Sequence, residues 1–337
     1  MKRATKRWLA LLVLFPLACT IAVAAMLGYY AHRPIELQQS PLQFSLKAGS
    51  SLKSAARQMA NAGVLAEAAP FVLLARLMGQ ASKIKAGNYE VESPVTPMEL
   101  LRKITEGDYT QDVITLVEGW TFQQMRKALE EHSGIRHDTL GLSNAEIMLQ
   151  LDMTEPSPEG WFFPDTYHFN RGSSDLAILR RAHRLMRATL ADQWERRAPN
   201  LPLATPYEAL ILASIIEKET GQAAERRLIA AVFVNRLRMR MKLQTDPTVI
   251  YGMGASFDGN LRKQDLAADT PYNTYIRGGL PPTPIALPGL ASLNAALNPA
   301  QSDALYFVSR GDGSSHFSRT LIEHDRAVMK YQKSGRR

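Results

Sequence analysis

The sequence predicts an α+β chain in three parts: an N-terminal transmembrane helix, a small β-α-α-β module and a larger mixed α+β domain. Three observations carry that division. Residues 8–30 contain no charged side chain, whereas Lys2, Arg3, Lys6 and Arg7 precede them and Arg33 follows. Residues 35–108 read as short strands and helices punctuated by glycine turns. Residues 109–337 open on a β-branched run, pass through strongly periodic helices and then become loop-rich. A length of 337 residues suits about two ordinary domains plus an appendage. The 45% hydrophobic and 21% charged content is that of a folded protein. A net charge of +8 favours an acidic partner, whether anionic polymer, membrane headgroup or nucleic acid.

The apolar run in residues 1–34 is long enough to cross a bilayer as a helix. Its basic leader places the start in the cytoplasm by the positive-inside rule, and the bulk of the chain beyond the membrane. Ala22-Val23-Ala24 also resembles a signal-peptide cleavage site. An uncleaved anchor is preferred, because the apolar run continues through Met26, Leu27, Tyr29 and Tyr30. Cys19 is the single cysteine, preceded by Pro16-Leu17-Ala18, a poor match to a lipoprotein processing site. One cysteine inside the anchor leaves no disulfide and no thiolate metal site in the rest of the chain.

In residues 35–108, Phe44-Ser45-Leu46-Lys47 alternates as a strand and Ala48-Gly49-Ser50 turns. A helix over 52–62 puts Leu52, Ala55, Ala56 and Met59 on one face and stops at Gly63. A second helix over 70–78 ends at Gly79, Gly87 leads into a strand, and Thr96 with Glu99 forms a capping box for a further helix. The module resembles a LysM-like carbohydrate-binding unit; a plain spacer domain fits the same pattern.

Gly107-Asp108 marks the boundary of the larger domain, residues 109–337. Residues 113–117 form a β-branched strand, and Thr121 caps a helix through Leu129. The segment 158–167 is the densest aromatic cluster, with Glu159 and Trp161 in it. Aromatic rings beside carboxylates suit a sugar site and equally a core corner. Residues 174–194 then make a basic amphipathic helix, and residues 225–241 a second helix using Leu228, Val232, Phe233 and Leu237.

Between those two lies the helix on which the domain is organised, residues 205–221. Thr205 serves as N-cap, Pro206 fits the first helical position, Glu208 completes a capping box and Gly221 falls where a C-cap belongs. Leu212, Ile215 and Ile216 define an apolar stripe that, one turn on, reaches Glu219. Glu217 follows Leu210, Ala213 and Ser214, a smaller and more polar face. A carboxylate on a core-facing stripe is partly desolvated, which raises its pKa towards that of a general acid. The plain alternative is two solvated glutamates at a helix end, balanced by Lys218.

From Leu243 the chain reads as long irregular segments, which inside a compact domain are more often functional than decorative. Asp246 is a candidate second carboxylate, and Tyr251, Asn273 and Tyr275 are candidates to hydrogen-bond sugar hydroxyls. Turn chemistry explains Asp-Pro and Asn-Thr dipeptides as well. The tail, around Leu305–Ser318, reads as a closing hairpin before a helix over 321–331, with His316 its one candidate polar contact.

Several of these segments, in order and spacing, resemble one family. They are Glu159-Gly160-Trp161-Phe162-Phe163-Pro164-Asp165-Thr166-Tyr167, Ala213-Ser214-Ile215-Ile216-Glu217-Lys218-Glu219-Thr220 and Asn235-Arg236-Leu237. Leu243-Gln244-Thr245-Asp246-Pro247-Thr248-Val249-Ile250-Tyr251-Gly252, Tyr272-Asn273-Thr274-Tyr275 and Gly279-Leu280-Pro281-Pro282 join them. The chain resembles the endolytic murein transglycosylases (the MltG, or YceG-like, family) from the anchor to the C-terminus. The resemblance implies an inner-membrane enzyme facing the periplasm, whose larger domain cuts peptidoglycan glycan strands internally near sites of synthesis. It implies that a glutamate of the Glu217/Glu219 pair is catalytic. Glu219-Thr220 is similar to the Glu-Ser pair at a helix end in other lytic transglycosylases, so Glu219 is assigned the catalytic role and Glu217 a supporting one. Substrate contacts are expected from Asp246, Tyr251, Asn273, Tyr275, Glu159 and Trp161.

The implied reaction needs one carboxyl and no metal or cofactor; the partners it implies are glycan strands, the membrane and peptidoglycan synthases, with no nucleic acid. Three rivals stay open. One is a hydrolytic muramidase with Glu219 as acid and Asp246 as base; one is a non-catalytic peptidoglycan-binding scaffold. The third, a pyridoxal-phosphate lyase, is disfavoured by export and by the lack of a phosphate-cradling glycine loop.

Overall fold

A computed structural model describes residues 15, 18, 20–108, 111–219 and 222–333. Residues 8–14, 16 and 17 of the predicted span, Cys19, and the Thr220-Gly221 end of the organising helix lie outside the described residues. Residues 20–32 are helical, and among the described residues no helix is long and apolar enough to cross a membrane. The chain divides into two compact units, one running to Asp112 and including His168–Arg171, the other made of Val113–Tyr167 and the residues from Gly172 onwards.

The first unit has the expected β-α-α-β order. Strand β1 (Leu42–Leu46) pairs antiparallel with β2 (Gly87–Val91), Phe44 opposite Tyr89. Between them lie α1 (Leu52–Asn61) and α2 (Ala68–Leu77), and α3 (Pro97–Glu106) follows. The periodic face Leu52, Ala55, Ala56 and Met59 is buried, as is Phe71 from α2 and Leu100 and Ile104 from α3. Tyr89 lies at the centre, stacked on Phe44 with centroids 5.4 Å apart, and its hydroxyl donates to the Lys85 carbonyl at 2.7 Å. Helix α2 starts two residues before Pro70, because proline within a first turn gives up no helical hydrogen bond.

Strands β3 (Gln111–Thr115) and β5 (Thr166–Asn170) pair with each other and are each divided between the two units, and in the second unit β4 (Ile135–Arg136) pairs parallel with β6 (Ser173–Ser174). Strand β3 stops short of Val117, which is exposed. Helices α4 (Phe122–Glu131) and α5 (Asn144–Gln150) each begin with a complete capping box. Helix α6 (Asp175–Glu195) leads to α7 (Pro206–Glu219), and α8 (Arg226–Arg238) follows. Then come α9 (Asp246–Met253), α10 (Lys263–Ala267) and α11 (Leu290–Leu297). The unit closes with the antiparallel hairpin β7 (Tyr306–Ser309) and β8 (Ser315–Ser318), then α12 (Leu321–Val328).

Helix α7 is the core of this unit. The Thr205 hydroxyl accepts from the Glu208 N–H at 3.2 Å, while the Glu208 carboxylate reaches one residue further back, to the Ala204 N–H at 2.6 Å. Every residue from Ala209 to Ile216 is buried, so the helix has no solvated face, as expected of one that is apolar all round. The smaller, more polar face of Leu210, Ala213 and Ser214 is buried with the rest. Ser214 is fully buried, its hydroxyl donating to the Ile211 carbonyl at 2.7 Å and accepting from the Ile285 N–H at 3.0 Å. Helix α7 packs on α11, whose Ser292, Ala295 and Ala296 are also buried.

The predicted loop after Leu243 contains α9. Asp246-Pro247 is its first turn rather than a bend, since proline is preorganised for the start of a helix.

Candidate active site

Helix α7 ends on Glu219, which lies at the wall of a cavity of about 440 Å³ with Arg236, Asp246, Tyr275 and Tyr306. The Glu219 carboxylate accepts from the Thr245 hydroxyl. Thr245 is the N-cap residue of α9, yet its hydroxyl makes no capping bond; it is turned to Glu219 instead. It is held there by two other buried threonines. The Thr245 N–H donates to Thr274 Oγ1 at 3.1 Å, the Thr274 and Thr248 hydroxyls are 2.9 Å apart, and Thr248 Oγ1 donates to the Thr245 carbonyl at 2.8 Å. Burial pushes the Glu219 carboxyl above the ordinary carboxylate range and the charge of Asp246 pushes the same way, against the Thr245 hydrogen bond and the Arg236 cation.

Asp246 and Tyr275 face the same cavity, with the Tyr275 hydroxyl donating to Asp246 Oδ1 at 2.5 Å. Arg236 was not among the predicted site residues. It is 8% exposed; Nε donates to the Leu305 carbonyl and Nη1 to the Leu243 carbonyl, each at 2.7 Å. Its guanidinium lies 5.1 Å from the centroid of the Tyr306 ring. It therefore fixes both the segment entering α9 and the one entering β7. The available signal was its place one turn beyond the buried Val232 and Phe233.

Glu217 is directed elsewhere. Its Oε2 accepts from the Gly289 N–H at 2.9 Å, at the N-terminus of α11, where the helix dipole favours negative charge. The Glu118 carboxyl lies beside the same glycine, so close that a Cβ on Gly289 would overlap it. Burial and the Glu217 charge raise the Glu118 pKa.

Glu159 and Tyr251 line a second cavity, of about 920 Å³. Glu159 Oε1 accepts from the Phe122 N–H at 2.9 Å and Oε2 from the Tyr251 hydroxyl at 3.0 Å. Burial pushes this carboxyl up to about 7, against those hydrogen bonds and Lys218. The neighbouring Gly160 has φ +80°, and a Cβ there would lie 2.5 Å from the Pro284 side chain, so only glycine lets this loop close.

Two predicted contact residues are corrected. Trp161 is buried against Tyr207, rings 5.8 Å apart and 6° from parallel, so it belongs to a core corner. Asn273 is 0% exposed: Nδ2 donates to the Ala268 and Leu266 carbonyls at 2.7 and 3.0 Å, and Oδ1 accepts from the Tyr275 N–H at 2.9 Å. It shapes the loop that carries Tyr275 and has no surface open to a ligand. Among the described residues, no group of three or more His, Cys, Asp or Glu side chains is placed to hold a metal ion.

Comparison with known proteins bears on this arrangement. A model of the YceG-like family matches residues 44–330, which include Glu159, Glu217, Glu219 and Asp246. An endolytic murein transglycosylase of Bacillus subtilis (strain 168) is 31% identical over 330 residues, 92% of this chain and 91% of that protein. One of Streptococcus pneumoniae serotype 2 (strain D39 / NCTC 7466) is 26% identical over 320 residues, 85% of this chain and 57% of its own, longer sequence. A 2.6 Å crystal structure of a YceG-like protein from Listeria monocytogenes matches with a TM-score of 0.55 at 29% identity, covering 85% of this chain and 98% of that one. With the family model spanning most of its length and the Bacillus protein aligned nearly end to end, the chain belongs to the YceG-like family.

Proposed function

We propose that this protein is a lytic transglycosylase that cuts peptidoglycan glycan strands internally, at the β-1,4 bond between N-acetylmuramic acid and N-acetylglucosamine. The observation that carries the proposal is Glu219: a carboxyl whose pKa burial raises, oriented by Thr245, at the wall of a cavity. A carboxyl that keeps its proton towards neutral pH can give it up to a leaving oxygen.

In this mechanism Glu219 protonates the glycosidic oxygen as its bond to C1 of the muramoyl residue breaks. The resulting carboxylate takes the proton of the muramoyl 6-hydroxyl, whose oxygen closes on C1. The product is a 1,6-anhydromuramoyl end, and Glu219 is returned protonated. The nucleophile belongs to the substrate and is already near C1, which supplies the advantage of an intramolecular reaction. Tyr275 and Asp246 line the same cavity, and in this reading they hydrogen-bond the bound sugar.

Hydrolysis is the second reading, because Asp246 lines the same cavity and glycosidases of the usual kind use two carboxyl groups. The wider proposal has residues 8–30 holding the protein in the inner membrane with both units in the periplasm. It has the LysM-like module on the glycan and cleavage terminating new strands beside their synthases.

The test is digestion of purified peptidoglycan by wild type, Glu219→Gln and Glu217→Gln, with products identified by mass spectrometry. Anhydromuramoyl ends that disappear with Glu219→Gln alone are the expected result. Reducing ends would replace the mechanism with hydrolysis, and loss with Glu217→Gln alone would move the catalytic role two residues back. No cleavage by a folded wild type would favour a binding scaffold.

A further inference from the structure

The larger, second cavity is next to the Glu219 cavity in the chain itself. Lys218 lines the second and Glu219 the first; Pro247 lines the second and Asp246 the first. Two pairs of consecutive residues thus form the partition between them, so groups bound on the two sides are neighbours. An enzyme that cuts inside a strand has sugar residues continuing beyond both sides of the scissile bond.

The lining indicates what this cavity takes. Phe122, Ile250 and Phe257 supply apolar surface, and Gln123, Gln124 and Asn144 supply amides. Two of those amides are oriented by the fold. Gln124 Oε1 accepts from the Thr121 N–H at 2.9 Å and Asn144 Oδ1 from Arg126 at 3.0 Å, which leaves the amide nitrogens as donors. The carboxyl of Glu159 has both oxygens engaged by Phe122 and Tyr251, and the Lys218 ammonium donates to the Gly119 carbonyl at 3.2 Å. Apolar faces with amide donors, and no carboxylate left free to receive an amine, match an N-acetylated sugar.

We infer that the cavity lined by Phe122, Gln123, Asn144, Ile250 and Phe257 is a second saccharide subsite, taking a neutral N-acetylated hexosamine of the strand next to the bond being cut. This rests on the transglycosylase reading.

The experiment uses the full chain in detergent. Glu219→Gln protein is titrated calorimetrically with N-acetylchitotetraose, alone and with Phe257→Ala or Gln123→Ala added. Cleavage of long, peptide-free glycan strands by the two single variants is measured in parallel. The expected result is binding that each added substitution weakens about tenfold, and cleavage with a raised KM and unchanged kcat. Unchanged affinity in both variants, no binding of the tetrasaccharide, or a fall in kcat with KM unchanged would overturn the subsite. So would a free stem peptide whose binding Phe257→Ala abolishes, since the cavity would then belong to peptide. Failure of the underlying reading looks different: Glu219→Gln would still cleave, whatever the tetrasaccharide does.

Discussion

Replacing Glu159 by glutamine removes a buried proton-binding group while keeping its shape. In the wild type the carboxyl is pushed from 4.5 up to about 7 because it is buried between Phe122 and Tyr251. The folded state therefore holds this proton more tightly than the unfolded state does. Its contribution to stability is fully present below about pH 4.5, falls as pH rises towards 7, and stays at its minimum above that. At about 1.4 kcal/mol per pH unit, the 4.5-to-7 displacement corresponds to roughly 3 kcal/mol. Glutamine at 159 can still accept from the Phe122 N–H and has no proton to lose. Relative to wild type, Glu159→Gln should therefore gain stability steadily from pH 5 to pH 7, by a total of about 3 kcal/mol at most. The assay is urea unfolding of both full-length proteins by tryptophan fluorescence, taken as the difference at each pH so that other titrating groups cancel. A difference that stays constant across the range, or that falls with pH, would refute the assignment of Glu159 as a buried, largely protonated acid.

Other expectations follow from the same contacts. Glu217→Ala removes the acceptor at the N-terminus of α11 and should cost about 1 kcal/mol in chemical unfolding, with anhydromuramoyl products still formed. Asp246→Asn removes a negative neighbour that raises the Glu219 pKa, so the alkaline limb of the kcat/KM profile should move to lower pH. A limb that stays in place or moves up would mean that Asp246 does not act on Glu219. Asn273→Ala strands buried loop carbonyls and should cost roughly 2–3 kcal/mol in thermal or urea unfolding, whereas a solvent-facing sugar ligand would cost little.

The parts of this molecule that were legible in its sequence are those decided locally. The face of α1 follows from the spacing of Leu52, Ala55, Ala56 and Met59, and the starts of α3 and α4 from Thr96 and Thr121 with their capping partners. What stayed hidden depends on residues far apart in the chain. Arg236 looks like an ordinary helix-surface cation until the carbonyls of Leu243 and Leu305 surround it. Asn273 looks like a turn or a ligand until Ala268 and Leu266 present their carbonyls to it. Asp246-Pro247 is written identically in a turn and in a helix start, and packing of α9 against α7 decides between them. The aromatic cluster was ambiguous for the same reason: Trp161 turns to the core while Glu159, two residues before it, lines a cavity.

Glu219 was found by following an apolar stripe, but the stripe is not what distinguishes it. Helix α7 is buried on all sides through Ile216, so periodicity alone cannot separate Glu217 from Glu219. Their different surroundings do: Glu217 meets the N-terminus of α11, and Glu219 meets Thr245 and an open cavity. Desolvation by itself is not a sufficient criterion either, because Glu159 is raised by the same cause. Glu159 has both oxygens bound by groups of the fold, one from α4 and one from α9, and so acts first as a clasp between those helices. Glu219 is held through Oε1 by a single hydroxyl while its carboxyl lines the cavity. A general acid needs both a proton retained near neutral pH and a direction in which to deliver it, and of Glu159 and Glu219 only Glu219 has the geometry for the second requirement.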